Sequence, residues 1–534
     1  MPPWEVYAMR CFPAVLPHLN NLRELEISGA HFDNTSVHAL GEFLANTRSL
    51  MTLTMTDQDQ EFWDVAAILN GLKRNTTITT LSLNTSLLIQ GFLSYGDDFV
   101  EYLVRSQTLQ SVSYSYNSIY HDLDVLDQIV GALFYHSTLS ELKLINFKLD
   151  FQKNELITGM LRQNRTLRIL HMVDCLCYVH EDSRVCRCLP SLTFLWVAAL
   201  AENKTLQELT LDVSGIMPHD YNPFFTALAC NTSLKKVTVL TIFDANVPRI
   251  CRAIRDTGAP ERFFVGKHHV SQHTVLELPE CKNLSHIHVG KLMTDDLEPL
   301  HTALCLLPSC SHVKSLSIAM NDKMLNSYVG SLMTQYITNT MTLRELDLVF
   351  TKSFPRTLCH VTFFNDSERE ASLMWMLVPN VSSNYTLLSL RTDHLDRFPG
   401  DSFAVHDVLR RNNALVTRAA HFVMGTRHKH CAAAAELVHF SPGLVTKVQE
   451  LAGIGEDEAV SRIKSSVRSL SELDDFMCLA GVVKYSVSCH RRDDGGKQLV
   501  DLNHDCWLHV RQYLKVDDIR DSKEARMFVP RRRQ

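Results

Sequence analysis

One short phrase recurs along the chain and limits the folds that the chain can adopt. It reads Asn-x-Thr followed by alternating apolar residues, as in Asn75–Leu83, and it returns at Asn164–Met172 and Asn203–Leu211. The first apolar residue of each copy, here called the index residue, recurs mostly every 28 to 31 residues. The index residues are Leu22, Leu50, Ile78, Leu109, Leu139, Leu167, Leu206, Leu234, Leu284, Val313, Leu343, Leu387 and Leu415. A fixed period of this length predicts a solenoid, in which each repeat packs on its neighbours.

Between copies the apolar period changes from two to about 3.6, which predicts a strand followed by a helix in each repeat. The long step from Leu234 to Leu284 leaves room for a degenerate copy, which we place at Arg262–Val265. We expect the Asn that ends each helix, as at Asn203, to adopt the left-handed conformation that a short polar side chain tolerates. The apolar residues with helical spacing include Val65, Ile68, Leu69 and Leu72, and Leu126, Ile129, Val130 and Leu133.

The frame L-x-x-L-x-L, with a helix in each repeat and a closing Asn-x-Thr-Leu, resembles the ribonuclease-inhibitor class of leucine-rich repeats and the repeat arrays of NOD-like receptors. This resemblance covers roughly residues 22–420. It implies an α/β fold: a curved solenoid with parallel inner strands, outer helices and about 14 repeats. We expect residues 1–21 to form a partial repeat or N-terminal cap and residues 22–426 to form the array.

From residue 427 the phrase stops, and a C-terminal all-helical module is predicted over 427–534, with helices at Ala432–Val438, Leu444–Leu451, Glu458–Leu470 and Leu473–Val483. Segment 499–521 resembles the opening of an F-box, but Asn503 stands where that family usually has proline. We favour a helix that caps the module and buries the stripe Trp507, Val510 and Leu514 on its own chain. The resemblance instead implies that a ubiquitin-ligase adaptor is bound by Leu502, Trp507, Val510, Tyr513, Leu514 and Ile519.

Composition excludes several classes of partner. A net charge of −6 with 21% charged residues is too small to indicate a nucleic-acid or membrane surface. The longest apolar run, Leu192–Ala201, is about half the roughly 20 residues that a bilayer requires. The 15 cysteines lack a regular framework, and residues 1–6 show no basic region followed by an apolar core, so we expect no secretory signal. We therefore predict a cytoplasmic protein, with the nucleus left open, whose Asn-x-Ser/Thr sequons are structural and unglycosylated.

Sequence motifs give little indication of chemistry. Cys175, Cys177, Cys186 and Cys188 lie close together, but in C-x-C pairs and not in the C-x-x-C spacing of zinc sites. We expect this cluster to be structural and metal-free, and we expect the group His428, His430 and Cys431 to be a solvated turn. Catalytic motifs are not found, and Gly495–Gln498 lacks the features of a phosphate-binding loop. We predict a protein that is not an enzyme and has no cofactor.

Residues that alternate with the strand leucines line one face of the predicted sheet. That face is the predicted protein-binding surface, and the function we favour is a protein–protein interaction scaffold. One alternative is a substrate receptor of a ubiquitin ligase, with the repeats holding substrate and the F-box-like segment holding the adaptor. A second is an innate-immune sensor that lacks its nucleotide-binding module. The candidate binding residues are Glu24, Glu26, Thr52, Thr54, Thr80, Ser82, Glu208, Asp212, His286, His288, Glu345 and Asp347.

Overall fold

The fold is described from a computed structural model. The structure describes residues 13–28, 34–56, 65–84, 99–116, 124–134, 136–147, 149, 151–175, 192–213, 216–240, 246–289, 298–321, 327–351, 380–392, 399–480 and 502–519. The chain divides into a first unit, Met1–His268 with Glu280–Leu284, and a second unit, His269–Pro279 with Ser285–Gln534. Within the described ranges, no helix combines the length and the apolar character needed to cross a membrane.

The strands of the described residues form two sheets, one of nine strands in the order β1 to β9 and one of five in the order β10 to β14. Every pair from β1 to β9 is parallel, and so is every pair from β11 to β14. The strands are β1 Glu24–Ser28, β2 Thr52–Thr56, β3 Thr80–Asn84, β4 Ser111–Ser115, β5 Glu141–Ile145, β6 Ile169–Val173, β7 Glu208–Asp212, β8 Lys236–Leu240, β9 Phe263–Val265, β10 His268–Val270, β11 His286–Val289, β12 Ser315–Asn321, β13 Glu345–Thr351 and β14 Ser389–Thr392.

Helices alternate with these strands, an arrangement consistent with a repeat solenoid. Those of the first unit are α1 Asn34–Asn46, α2 Val65–Arg74, α3 at residues 99–105, α4 Asp124–Leu133, α5 Phe151–Gln163, α6 Leu192–Glu202, α7 Tyr221–Cys230 and α8 Val247–Asp256. Those of the second unit are α9 Gln272–Val275, α10 Glu298–Leu306, α11 Ser327–Asn339, α12 Pro399–Val423, α13 Lys429–Val438, α14 Pro442–Ala452, α15 Glu456–Ser471, α16 Leu473–Ala480 and α17 His504–Arg511.

The index residues explain why the phrase folds as it does. From Leu50 to Leu387 each of them is at most 1% exposed, and most of the strands begin two residues after one. The degenerate copy at Arg262–Val265 forms the short strand β9, as predicted. Strand β10 was not predicted, because it follows β9 after two residues and has no index residue of its own.

The Asn of the phrase connects neighbouring repeats through its side chain. Asn203 is 1% exposed, and its Nδ2 donates to the carbonyl of Leu161, in the preceding repeat, at 2.6 Å. Its Oδ1 accepts from the backbone N–H groups of Thr205 and Leu206 at 3.0 and 2.8 Å. The same pattern recurs at the residues that we call the spine asparagines, which are Asn75, Asn164, Asn203, Asn231 and Asn384.

The predicted left-handed conformation of this Asn is wrong. Asn231 ends α7 at φ −71° and ψ 113°, and the non-glycine residues with positive φ in the described part of the chain are Asn146 and Asp174. The Asn is required for its amide, which satisfies backbone groups left unpaired where the helix ends. His136 supports this explanation, because its Nδ1 accepts from the N–H groups of Thr138 and Leu139 at 3.3 and 3.0 Å, in place of an amide oxygen.

The last index residue, Leu415, does not precede a strand, and that prediction is also wrong. It lies inside α12, a continuous helix of 25 residues. Asn412 still donates to the carbonyls of Asn384 and Leu387, at 3.2 and 2.9 Å. Its Oδ1, however, accepts from the guanidinium of Arg411, because the continuing helix already uses the backbone N–H groups that a spine asparagine would bind.

The predicted C-terminal helices form as α13 to α16, although residues 481–483 of the last prediction lie outside the described residues. Together with the second half of α12 they enclose one apolar core. Alanines 419, 420, 432 and 435 are fully buried in it, so the helices approach closely. Gly453 ends α14 at φ +63°, where its N–H donates to Gln449. Val516, which follows α17, is also fully buried in this core.

Candidate functional site

Two rows of side chains cross the sheet of the first unit, with one residue from each strand in each row. The strand register aligns the candidate residues Glu24, Thr52 and Thr80 in the first row, followed by Ser111 and Glu141. The second row contains Glu26, Thr54, Ser82, Ser113, Lys143 and His171. The structure therefore brings six of the predicted residues together on β1 to β3.

Six hydroxyl groups form the centre of these rows, and we call them the hydroxyl floor: Thr52, Thr54, Thr80, Ser82, Ser111 and Ser113. All six are half-buried. In the part of the chain that the structure describes, no hydrogen bond joins any of these hydroxyls to another group of the protein. By contrast, the hydroxyls of the phrase itself are used internally, since Thr77 and Thr108 donate to the carbonyls of Leu50 and Ile78 at 2.8 and 2.9 Å.

Titratable side chains lie on the same face of the sheet from β5 to β8. His171 Nδ1 lies 2.8 Å from the Thr210 hydroxyl, and its Nε2 lies 3.9 Å from Glu141. Burial lowers the pKa of His171, and this outweighs Glu141 and Glu208, which raise it. The ring is therefore neutral at pH 7, and the contact with Glu141 is not an ion pair. Glu208, a predicted binding residue, pairs with Lys236 at 3.5 Å. Asp212, also predicted, is on the same strand, β7.

On the sheet of the second unit, a serine connects two predicted residues. His286 and His288 lie on β11, and Glu345 and Asp347 lie two strands away on β13. The Ser317 hydroxyl, between them on β12, donates to Asp347 at 3.2 Å and lies 2.9 Å from His288 Nδ1. Because the serine hydrogen is directed to the carboxylate, His288 Nδ1 is the donor in the other bond. This order differs from a catalytic triad, in which histidine accepts the proton of serine.

Sequence reasoning missed several residues of these surfaces. Ser317, which is 3% exposed, lies four residues after its index residue, Val313. It could have been found by taking, in every copy, the residues that alternate with the strand leucines. The same is true of Lys143. His269, whose ring centroid lies 5.1 Å from that of His288, is on β10, and no index residue marked that strand.

Of the cysteine cluster, the structure describes Cys175, while Cys177, Cys186 and Cys188 lie outside the described residues. Cys175 is buried, its thiol contacts the carbonyl of Leu144 at 3.4 Å, and burial raises its pKa to about 12. A protonated, buried thiol of this kind is a packing group.

The second candidate group does not come together as a single cluster. The rings of His428 and His430 stack with centroids 5.5 Å apart, whereas Cys431 is 4% exposed and belongs to the helical core. The thiol is buried on the other side of α13, because adjacent residues of a helix do not share a face.

The F-box-like segment packs against its own chain, and Leu514 is the residue of the predicted stripe that joins the helical core. Arg511 donates to Glu436 at 3.2 Å and to the carbonyl of Leu470 at 2.8 Å, and its guanidinium lies 3.8 Å from the centroid of the Phe476 ring. Val516 N–H donates to the same Glu436 at 2.8 Å. Asn503 accepts from Cys506 N–H at 2.9 Å and so caps α17, a role that proline could not fill.

The six predicted adaptor-binding residues divide into two groups. Leu514 and Ile519 pack on the helical core of their own chain. Trp507 and Val510, in helix α17, are half-buried and do not belong to the helical core, so the prediction that the stripe buries them there is wrong. Tyr513 is 74% exposed, and Leu502 is half-buried. The stripe divides because Arg511, and not Trp507, is the α17 side chain held against the body of the module.

Comparison with known proteins identifies no family. The chain matches no protein-family model, and it matches no curated protein.

Proposed function

We propose that this chain is a non-enzymatic leucine-rich-repeat protein of the ribonuclease-inhibitor-like type, and that it acts as a protein–protein interaction scaffold. The observation that carries the proposal is the hydroxyl floor. Six neighbouring groups that can each donate and accept hydrogen bonds have no internal partner among the described residues. Such a surface suits a partner with many polar contacts, because each hydroxyl can reorient to match a donor or an acceptor.

The hydrogen-bonded side chains of His288, Ser317 and Asp347, in the second unit, support binding in preference to catalysis. Ser317 is 3% exposed, and its hydrogen is directed to Asp347. A nucleophilic serine would need an accessible oxygen and a histidine positioned to accept its proton. The arrangement suits a fixed surface, since the three side chains hold one another in place across β11 to β13.

The test uses a double variant on the floor. Thr54 and Ser82 are paired on adjacent strands, so Thr54→Arg with Ser82→Arg places two bulky cations there without changing a buried leucine. Glu155→Arg, on the exposed side of α5, is the matched control. We expect proteins captured from lysate by the unmodified chain and by the control to be lost with the double variant, at an unchanged melting temperature. An identical captured set from all three would refute binding by this face.

A second candidate, the substrate receptor of a ubiquitin ligase, is favoured by the exposure of Tyr513 on a segment that Arg511 holds against the module. An exposed aromatic on a rigid element is typical of an interface anchor. Capture of a ligase adaptor by the full chain, abolished by Tyr513→Ala but not by Thr54→Arg with Ser82→Arg, would favour this candidate. Failure to capture any adaptor would exclude it.

A further inference from the structure

Each spine asparagine is also the acceptor residue of an N-glycosylation sequon. The five sequons begin at Asn75, Asn164, Asn203, Asn231 and Asn384, and each is completed two residues later by Thr or Ser. In N-glycosylation a new bond joins the asparagine Nδ2 to the first sugar, a lipid pyrophosphate leaves, and Nδ2 loses one of its two hydrogens. The atom that would be modified is therefore the atom that forms the spine.

Burial leaves no room for a sugar at these positions. Four of the five asparagines are at most 3% exposed, and Asn75 is half-buried. Each Nδ2 lies between 2.6 and 3.1 Å from a carbonyl of the preceding repeat. A glycan is bulky and must stay in solvent. A glycosylated spine asparagine would have to leave its buried position. The two backbone N–H groups that donate to its Oδ1 would then lose their acceptor.

The timing of the reaction makes this conflict decisive. In the secretory pathway the transferase acts on the nascent chain before folding, so burial in the final fold gives no protection. We infer that this protein attains its fold only in a compartment without N-glycosyltransferase, and that its spine sequons are purely structural. The inference rests on the spine geometry, not on the proposed binding function or on the ends of the chain.

The test is translation of the full chain, fused to a cleavable secretory signal, into endoplasmic-reticulum microsomes. One arm contains an excess of a competing acceptor tripeptide, Asn-Tyr-Thr, which prevents glycosylation without changing the sequence or the redox conditions. The reference is the chain translated without microsomes. The readouts are the endoglycosidase-sensitive mass shift, its mapping to individual asparagines, and the lifetime of the chain under limited proteolysis.

We expect the glycosylated chain to be degraded at least tenfold faster than the reference, and the competitor to restore resistance. Glycan on Asn34, an exposed sequon at the start of α1, is compatible with the fold and does not count. A chain that carries glycan at Asn164 or Asn203 and resists protease as well as the reference would overturn the inference. It would equally be overturned if the unglycosylated chain in the competitor arm remained as sensitive as the glycosylated one.

Discussion

Replacing Asn203 by alanine tests whether the spine asparagines stabilise the fold through their side-chain amides. The change removes four hydrogen bonds: Nδ2 donates one to the carbonyl of Leu161, and Oδ1 accepts three, from the N–H groups of Thr205 and Leu206 and, at 3.5 Å, from the Thr205 hydroxyl. Of the groups left behind, the carbonyl of Leu161 and the N–H of Leu206 belong to fully buried residues, and Thr205 is half-buried. Each intramolecular hydrogen bond contributes about 1 kcal/mol net, and an unsatisfied buried group costs about 1–3 kcal/mol.

We therefore expect Asn203→Ala to lower the free energy of unfolding of the first unit by about 3 kcal/mol. Asn21 is exposed, and Asn21→Ala is the matched control, with an expected change within about 0.5 kcal/mol. Urea titration followed by circular dichroism measures the stability. Hydrogen exchange in Glu208–Asp212, the strand that follows Asn203, shows whether the loss is local to this repeat.

A second substitution separates the hydrogen bonds from any preference for backbone conformation. Asn203→Asp keeps the size and the acceptor oxygen, but at pH 7 it puts a carboxylate oxygen where Nδ2 now donates to Leu161 at 2.6 Å. Two acceptors would then face each other in a buried site, so Asn203→Asp should be less stable than Asn203→Ala. If both variants stayed within about 0.5 kcal/mol of the control, our explanation of the phrase would be refuted.

Four further outcomes test other parts of the structure. Leu81→Asp places an unpaired charge at a fully buried site and should reduce exchange protection in the flanking repeats as well as its own; a purely local loss would contradict coupled repeats. Burial lowers the pKa of His136, so the unfolded chain, which protonates near about 6.5, gains protons first. Stability should therefore be lost as pH falls from about 6.5 to that lower pKa. In urea titrations at pH 7.5 and 5.5, His136→Asn should reduce this loss, and the part due to His171, whose pKa burial also lowers, should remain. Val516→Ala should cost the helical module about 2 kcal/mol in a thermal melt, whereas Tyr513→Ala should leave it unchanged; equal effects would mean that the segment is not held by Val516. Elemental analysis of protein purified without chelator should find no zinc, and one equivalent that is lost on Cys175→Ser would overturn the metal-free prediction.

The parts of the fold that the sequence predicts are those with a strong local period. Ile129 and Val130 show helical spacing and are fully buried in α4, because the same spacing that marks a helix also forms its apolar face. The phrase predicts strands because the alternation of apolar residues that marks a strand also forms its buried face. This holds even for the degenerate copy, where Phe263 and Val265 are buried in β9. Where a helix ends is not set by the local sequence alone. Leu415 follows Asn412 by three residues, as in the other copies, yet helix α12 continues through both residues.

The candidate binding surface is less predictable, because contact across strands depends on register. The rule of alternate residues finds Glu345 and Asp347 but not the bond from Ser317 that fixes Asp347. In the C-terminal segment, the apolar stripe indicated that Trp507 would be buried. The side chain held against the module is Arg511, which reaches Glu436, a residue 75 positions earlier that no local pattern connects to it.

Helix α12 belongs to two structures at once, and this determines how the second unit can come apart. Its first half contacts the residues that precede β14. There the guanidinium of Arg411 lies 4.3 Å from the centroid of the Tyr385 ring and donates to the carbonyl of Ser382. Its second half supplies Ala419 and Phe422 to the core of the helical module. Pulling or proteolysis that separates either β14 or the helical module must disrupt the same helix, α12. We therefore expect the module to unfold together with β14. Anyone grafting the helical module onto another repeat protein would need to transfer α12 with it.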